Sequence, residues 1–309
     1  MDGVIVIDKP VGPTSHDVVS RVRRAIGERR VGHTGTLDPA ASGVLPLVLG
    51  RATRLARFLS AADKSYDAVI RLGISTRTGD AEGERLGAEY AGPAPSLEAI
   101  ETAVNAFCGT FPQQPPAFSA KKIGGHRSYK IARAASRAAD SGGDGQPAGP
   151  LPSAVEVTAH RIDVRSIDGN VVALRLICSA GFYVRALAHD LGERLGTGGH
   201  LIGLRRTASG EFTLLQAVML DLVERDPRAA LDSVIALSRL LQGFSAVTLT
   251  AEGAKHARHG RDLGPNDFAS DRSSPAKNWI RLLDPRGELL GIARPNTQSG
   301  SLHPAVVLI

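Results

Sequence analysis

Cysteine is scarce in this chain: Cys108 and Cys178 are the only two among 309 residues, and they lie far apart with no C-x-x-C pair. That excludes a disulfide framework and a cysteine-built zinc site, and both thiols are expected to behave as buried small hydrophobes. Long apolar runs are missing too. Nothing approaches the roughly eighteen residues a membrane helix needs, and the opening MDGVIVIDKP lacks the basic start and small-residue cleavage site of a secretory leader. The expectation is a cytoplasmic protein with no membrane partner. No repeat with a period of roughly 20 to 50 residues is present, which excludes solenoids and propellers. A regular βαβ rhythm is also absent, so the mixture of strand-like and helix-like segments points to an α+β body with a largely antiparallel sheet.

What is present is ordinary for a packed protein, with 42% apolar and 22% charged residues. The length suits one large core, or one core with a small appended module. Net charge is +6, which favours a phosphate-bearing partner through release of condensed counterions. Its distribution says more than its size. From Lys121 to Arg137 there are six basic residues (Lys121, Lys122, Arg127, Lys130, Arg133, Arg137) and no acidic one.

Val4 to Ile7 reads as a buried strand, and Thr14-Ser15 offers a cap for a helix burying Val18, Val19, Val22 and Ile26 and ending at Gly27. Residues 29–50, RRVGHTGTLDPAASGVLPLVLG, spread glycines and a proline through a loop and close on an apolar strand. Lys64 to Gly73 alternates as a strand, with Tyr66, Ala68, Ile70 and Leu72 on one face. Ser96 caps a helix predicted to run to Gly109. The basic segment follows, then SGGDGQPAGP at 141–150, which reads as a mobile excursion. Strands are predicted at 155–164 and 171–178, a helix with Val184, Leu187, Ala188, Leu191 and Leu195 on its buried face, and two helical stretches near 214–241. Beyond about residue 244 the pattern changes to short β-like pieces, with Asp284-Pro285-Arg286-Gly287 as a turn, and this part is expected to fold semi-independently. His256 and His259 have no carboxylate or cysteine beside them in the pattern and read as exposed or phosphate-adjacent residues.

The stretch GHTGTLDPAASGVLPL at 32–47 resembles, almost residue by residue, the catalytic motif of bacterial TruB-type pseudouridine synthases. An aspartate before proline is otherwise a common turn former. Further segments resemble the same family in the same order: KPVGPTSHDVVSRV at 9–22, KSYDAVIRLG at 64–73, PPAFSAKKIGGHRSYKIAR at 115–133, CSAGFYVRALAHDLG at 178–192 and HLIGLRRT at 200–207. The resemblance implies an α+β catalytic domain at 1–243, with a central mainly antiparallel sheet, a cleft, and a basic RNA-contacting arm at about 115–150. It also implies a small PUA-like β-barrel that binds RNA at 244–309.

It further implies isomerisation of a uridine at position 55, in the T loop of tRNA. That reaction breaks the bond from uracil N1 to ribose C1′, turns the base and joins C5 to C1′. Redox state is unchanged, no water is consumed, and no cofactor or metal is expected. Asp38 is the nucleophile by its matched position. Attack at C1′, attack at C6 and abstraction of a sugar proton all need its carboxylate ionised. Arg185 is carried over as the guanidinium that keeps Asp38 ionised and oriented, against the alternative of an ordinary surface ion pair. Tyr66 matches the aromatic that stacks on the flipped base, although tyrosine in an alternating strand is usually a packing residue. Tyr183 matches a hydroxyl near the base, His33 the residue filling the space the base leaves, Lys9 a support for the loop, and Leu204 an apolar contact with the base. Lys121, Lys122, Arg127 and Lys130 are the candidate phosphate contacts. A monomer acting on the tRNA T stem-loop without an obligate protein partner is expected. Two competing readings are a tRNA-folding chaperone without turnover and a component of an RNA-guided synthase.

Overall fold

A computed structural model describes residues 1–119, 122–123, 126–127, 152–269, 279–296 and 300–308. Lys121, Lys130, Arg133, Arg137 and the 141–150 excursion therefore lie outside the described residues. Of Lys122 and Arg127 only the backbone is described, as two-residue strands pairing Lys122 with Arg127 and Ile123 with His126. Two compact units are formed, one of Met1–Pro39, Gly43–Ala61 and Gly210–Ile309, the other of Ala40–Ser42 and Ala62–Ser209.

In the first unit the strand Gly3–Lys9 is apolar on both faces and buried along most of its length. It pairs antiparallel with Ala41–Leu49, from Gly3 opposite Leu49 to Lys9 opposite Gly43, and parallel with Ala217–Met219. The short strand Val31–His33 pairs with the other edge of Ala41–Leu49. The helix Ser15–Ile26 begins where the sequence predicts. Thr14 and Asp17 form a reciprocal capping box, and Gly27 closes the helix at φ 69°, a conformation that suits glycine. Val18, Val19 and Val22 are buried on its inner face. The stretch near 214–241 is less helical than expected, with short helices at Leu220–Arg225 and Pro227–Asp232 joined to single 3₁₀ turns.

The C-terminal part of this unit is a four-stranded sheet in the order Ser245–Thr248, Ile280–Leu283, Leu289–Pro295, Leu302–Val307, with the helix Ala251–Arg258. The predicted turn is there: Gly287 N–H bonds to Asp284 C=O at 2.9 Å. Two cores meet this sheet. Leu249, Ala254, Leu263, Ile280, Leu282 and Leu302 form a local one, whereas Leu289, Ile292 and Leu308 pack in the same cluster as Val4, Val6, Val44, Val48 and Phe58. Trp279 and Phe244 approach the Phe58 ring edge-on at 5.1 and 6.0 Å.

The second unit is an antiparallel sheet in the order Gly199–Ser209, Lys64–Leu72, Val171–Cys178, Val155–Asp168, Gly109–Gln113. Lys64–Leu72 alternates as predicted, with every second residue from Lys64 to Leu72 buried. The helix Val184–Arg194 packs on the Gly199–Ser209 strand and buries Leu187, Ala188 and Leu191. Two sequence expectations need correction. The Ser96-capped helix stops at Asn105, short of Gly109, so Cys108 falls in an exposed turn while only Cys178 is buried. His256 does have carboxylate company: its Nδ1 lies 2.8 Å from Asp267 and its Nε2 3.6 Å from Glu252. A turn eleven residues further along supplies Asp267, which helical spacing alone does not reveal. No helix among the described residues is long and apolar enough to cross a membrane.

Candidate active site

Asp38 sits, partly exposed, on the loop that leaves Val31–His33 and enters Ala41–Leu49. Both chain neighbours of Asp38 are held. The Leu37 N–H donates to Ser15 Oγ at 2.8 Å, and Ser15 Oγ–H donates back to the Leu37 carbonyl at 3.0 Å. On the other side the Pro39 carbonyl accepts from the Gly12 N–H at 2.9 Å and from Lys9 Nζ at 3.3 Å. Lys9 is 0% exposed and also donates to the Pro10 carbonyl at 2.9 Å. An ammonium so far from water needs acceptors, and the loop carbonyls supply them. Upstream, Thr34 N–H bonds to the Pro46 carbonyl at 3.1 Å. His33 Nδ1 accepts from Gly35 N–H at 3.3 Å, and its ring meets His16 edge-on at 5.3 Å. Lys9, His33 and Asp38 thus belong to one unit, with Lys9 and His33 at strand ends beside the anchored loop that carries Asp38.

Tyr66, Tyr183, Arg185 and Leu204 belong to the other unit. Tyr66 lies opposite Arg206, and Ala68 opposite Leu204, in the pairing of Lys64–Leu72 with Gly199–Ser209. Directly opposed residues share a face and diagonal ones remain within reach of long side chains, so the register places Leu204 and Tyr66 as diagonal neighbours. Tyr66 is mostly buried, Leu204 partly so, and Arg206 is 1% exposed. Two residues before Tyr66, Lys64 Nζ donates to the Ala62 carbonyl at 2.6 Å. Burial first, and the Arg206 charge second, push its ammonium down to about 8. Burial pushes the neighbouring Cys178 thiol up to about 12, which keeps it an unreactive thiol.

Arg185 is in the first turn of Val184–Arg194, with its side chain 7% exposed. Its guanidinium spreads over two acceptors, Nη1 to the Thr78 carbonyl at 2.9 Å and Nη2 to the Phe118 carbonyl at 2.8 Å. Asp80 Oδ2 is 3.7 Å from Nη1. The turn carrying Thr78 fits closely against the helix because Gly79 takes φ 72°, and a Cβ there would stand 3.2 Å from the Arg185 carbonyl. Arg185 is therefore no surface ion pair. Just before it, the buried Gln113 amide grips the Tyr183 backbone from both sides, accepting from its N–H at 2.8 Å and donating to its carbonyl at 3.1 Å. Sequence reasoning missed Ser15, which reads there only as part of a helix cap, and Gln113, Thr78 and Asp80, which carry no local signal.

In overall fold the chain resembles chains from two solved complexes. An H/ACA RNP bound to a substrate RNA containing 2′-deoxyuridine superimposes with a TM-score of 0.71 at 23% identity, covering 99% of this chain and 85% of that one. A Cbf5-Nop10-Gar1 complex gives 0.72 at 24%, with 99% and 85% covered. In sequence, residues 23–184 match the TruB family pseudouridylate synthase N-terminal domain, and residues 185–243 match the tRNA pseudouridylate synthase B C-terminal domain. Proteins named tRNA pseudouridine synthase B are similar along the whole chain. The one from Solibacter usitatus is 42% identical with 100% of both chains covered, and one from Mycobacterium sp. (strain KMS) is 45% identical with 96% of this chain and 97% of that one covered. The chain belongs to the TruB family of pseudouridylate synthases.

Proposed function

We propose that the chain converts one uridine in the T loop of tRNA to pseudouridine, with Asp38 as the nucleophile. The observation that carries this reading is the 32–47 loop, in which the residues on both sides of Asp38 are tied to the segment 9–15. A carboxylate that must meet one carbon of a flipped nucleotide needs such fixed aim, since misplacement by about 1 Å can cost on the order of a hundredfold. Tyr66 stacks on the base, Leu204 gives it an apolar contact, Tyr183 offers a hydroxyl beside it, His33 fills the vacated stack, and Arg185 orients Asp38. The four-stranded C-terminal sheet serves as a PUA-like RNA contact. No group beyond these side chains is needed, because the isomerisation exchanges one glycosidic bond for another and moves a proton from C5 to N1.

Against the RNA-guided alternative stand the relatives named for tRNA, which share 38–45% identity across essentially the full chain. The deciding assay incubates the purified chain with an unmodified tRNA transcript and no guide RNA, then maps pseudouridine. Product at a single T-loop uridine is expected. Binding without product would favour the chaperone reading, and product only with added guide RNA the other.

Two expectations follow from the site. Lysine in place of Arg185 retains charge but cannot reach the two carbonyls with a planar fork, leaving a part-buried acceptor without its partner at a cost of up to about 1 kcal/mol in stability. Single-turnover rate at saturating enzyme is expected to fall roughly a hundredfold with tRNA affinity nearly unchanged. A folded Arg185→Lys enzyme within threefold of wild type would remove the orienting role. For the arm, Lys122 and Arg127 are replaced together by alanine. The slope of log affinity against log salt should flatten by about 0.7–0.9 for each phosphate that is no longer neutralised, and an unchanged slope would place the RNA elsewhere.

A further inference from the structure

Helix Ser15–Ile26 is capped by Thr14, whose hydroxyl takes the Asp17 N–H at 3.1 Å. Ser15, at the first helical position, is therefore not the capping side chain, and its hydroxyl reaches across 22 residues to the loop instead. There it satisfies both backbone groups of Leu37, accepting at 2.8 Å and donating at 3.0 Å. Ser15 is 1% and Leu37 3% exposed, so water cannot take over either bond without opening the packing. One hydroxyl thus does what a strand partner would do for a single residue, and that residue immediately precedes Asp38.

We propose that Ser15 is a positioning residue for the reaction: its hydroxyl fixes the Leu37 backbone and thereby aims the Asp38 carboxylate. This rests on Asp38 being the reacting group. The bracket is two-sided, since Gly12 and Lys9 hold the Pro39 carbonyl. On the Ser15 side the holding group is a neutral side chain, which can be shortened to a methyl group without leaving a charge buried. Alanine there strands the N–H and C=O of Leu37, a residue only 3% exposed. Buried backbone groups are very rarely left unpaired, so the loop must shift to regain partners and carry Asp38 with it.

The test compares Ser15→Ala, Ser15→Thr, Thr14→Ala and Asp38→Asn in single-turnover pseudouridine formation on an unmodified tRNA transcript, beside tRNA binding and thermal unfolding. Ser15→Ala is expected to lose about thirtyfold or more in rate at saturating enzyme, with half-saturation within threefold of wild type. Thr14→Ala weakens the same helix by removing its cap but leaves Leu37 held, so it should lose stability and retain the wild-type rate. Ser15→Thr keeps the hydroxyl and should stay within tenfold of wild type. If Ser15→Ala does not fold, Ser15→Thr decides, and a folded Ser15→Thr slowed beyond a hundredfold overturns the inference. So does a folded Ser15→Ala at full rate, or a Thr14→Ala slowed equally, which would trace the effect to the helix start. Asp38→Asn separates this from the underlying reading. If that variant turns over, the nucleophile assignment fails; if it is silent while Ser15→Ala works normally, only the role of Ser15 falls.

Discussion

Asparagine at position 38 is expected to abolish pseudouridine formation, lowering the single-turnover rate by at least about a thousandfold, while tRNA binding stays within a few-fold of wild type. The amide has nearly the shape of the carboxylate, and the bonds that hold the loop are made by Leu37 and Pro39, so the variant should keep its geometry. What it loses is an ionised oxygen able to attack carbon or accept a proton. The change also removes one negative charge from a surface that meets polyphosphate, so binding should if anything tighten slightly. The control is an unfolding curve matching wild type. Turnover within tenfold of wild type would eliminate Asp38 as nucleophile, because a covalent step cannot keep nearly its full rate without its nucleophilic group.

Ending the chain near Gln242 is expected to unfold much of the first unit instead of merely weakening RNA binding. The composition shift near residue 244 suggests a separable module, but the packing argues for mutual dependence. Leu289, Ile292 and Leu308 are fully or almost fully buried in the cluster that contains Val4, Val6, Val44 and Val48, and each such side chain contributes about 1.5–3 kcal/mol by leaving water. Three of them amount to several kcal/mol, a large part of the roughly 5–15 kcal/mol by which a whole domain is stable. Polar ties add to this. Arg51 donates to the Leu308 carbonyl at 3.3 Å, Arg54 to the Val307 carbonyl, and Arg281 to the Ser238 carbonyl. Truncation also uncovers Phe58, packed between Phe244 and Trp279. The expected result is a protein that aggregates or melts well below the full chain, with turnover reduced in proportion. A soluble truncated protein with an unchanged melting temperature and normal rate on saturating tRNA would show that the shared core is dispensable.

Some of the molecule is legible in the sequence because the cause acts locally. The buried strand Val4 to Ile7, the alternation from Lys64 to Leu72 and the valine face of Ser15–Ile26 each follow from periodicity, and Thr14 and Gly27 mark helix ends through their own backbone chemistry. The Asp38 loop stands out because a long run of residues, glycines and prolines included, resembles one family's catalytic motif. Where the local cause is weak, pattern alone misleads. It carries the 97–105 helix past Asn105 to the next glycine, and the general tendency of free cysteine to be buried misplaces Cys108, which is exposed.

By itself, then, the sequence determined the elements, their apolar faces, the family and the candidate carboxylate, since each is written in neighbouring residues. Only the tertiary structure decided what holds the carboxylate's neighbours, because the Ser15–Leu37 clamp joins groups 22 positions apart and the Gln113–Tyr183 clamp groups 70 apart. The same holds for Arg185, whose acceptors are backbone carbonyls of Thr78 and Phe118, groups every residue possesses. It holds for the C-terminal sheet as well, whose second face found its partners on the first strand of the chain. Hydrogen bonds to backbone and contacts between apolar faces depend on where the chain returns to itself, and no residue type announces that.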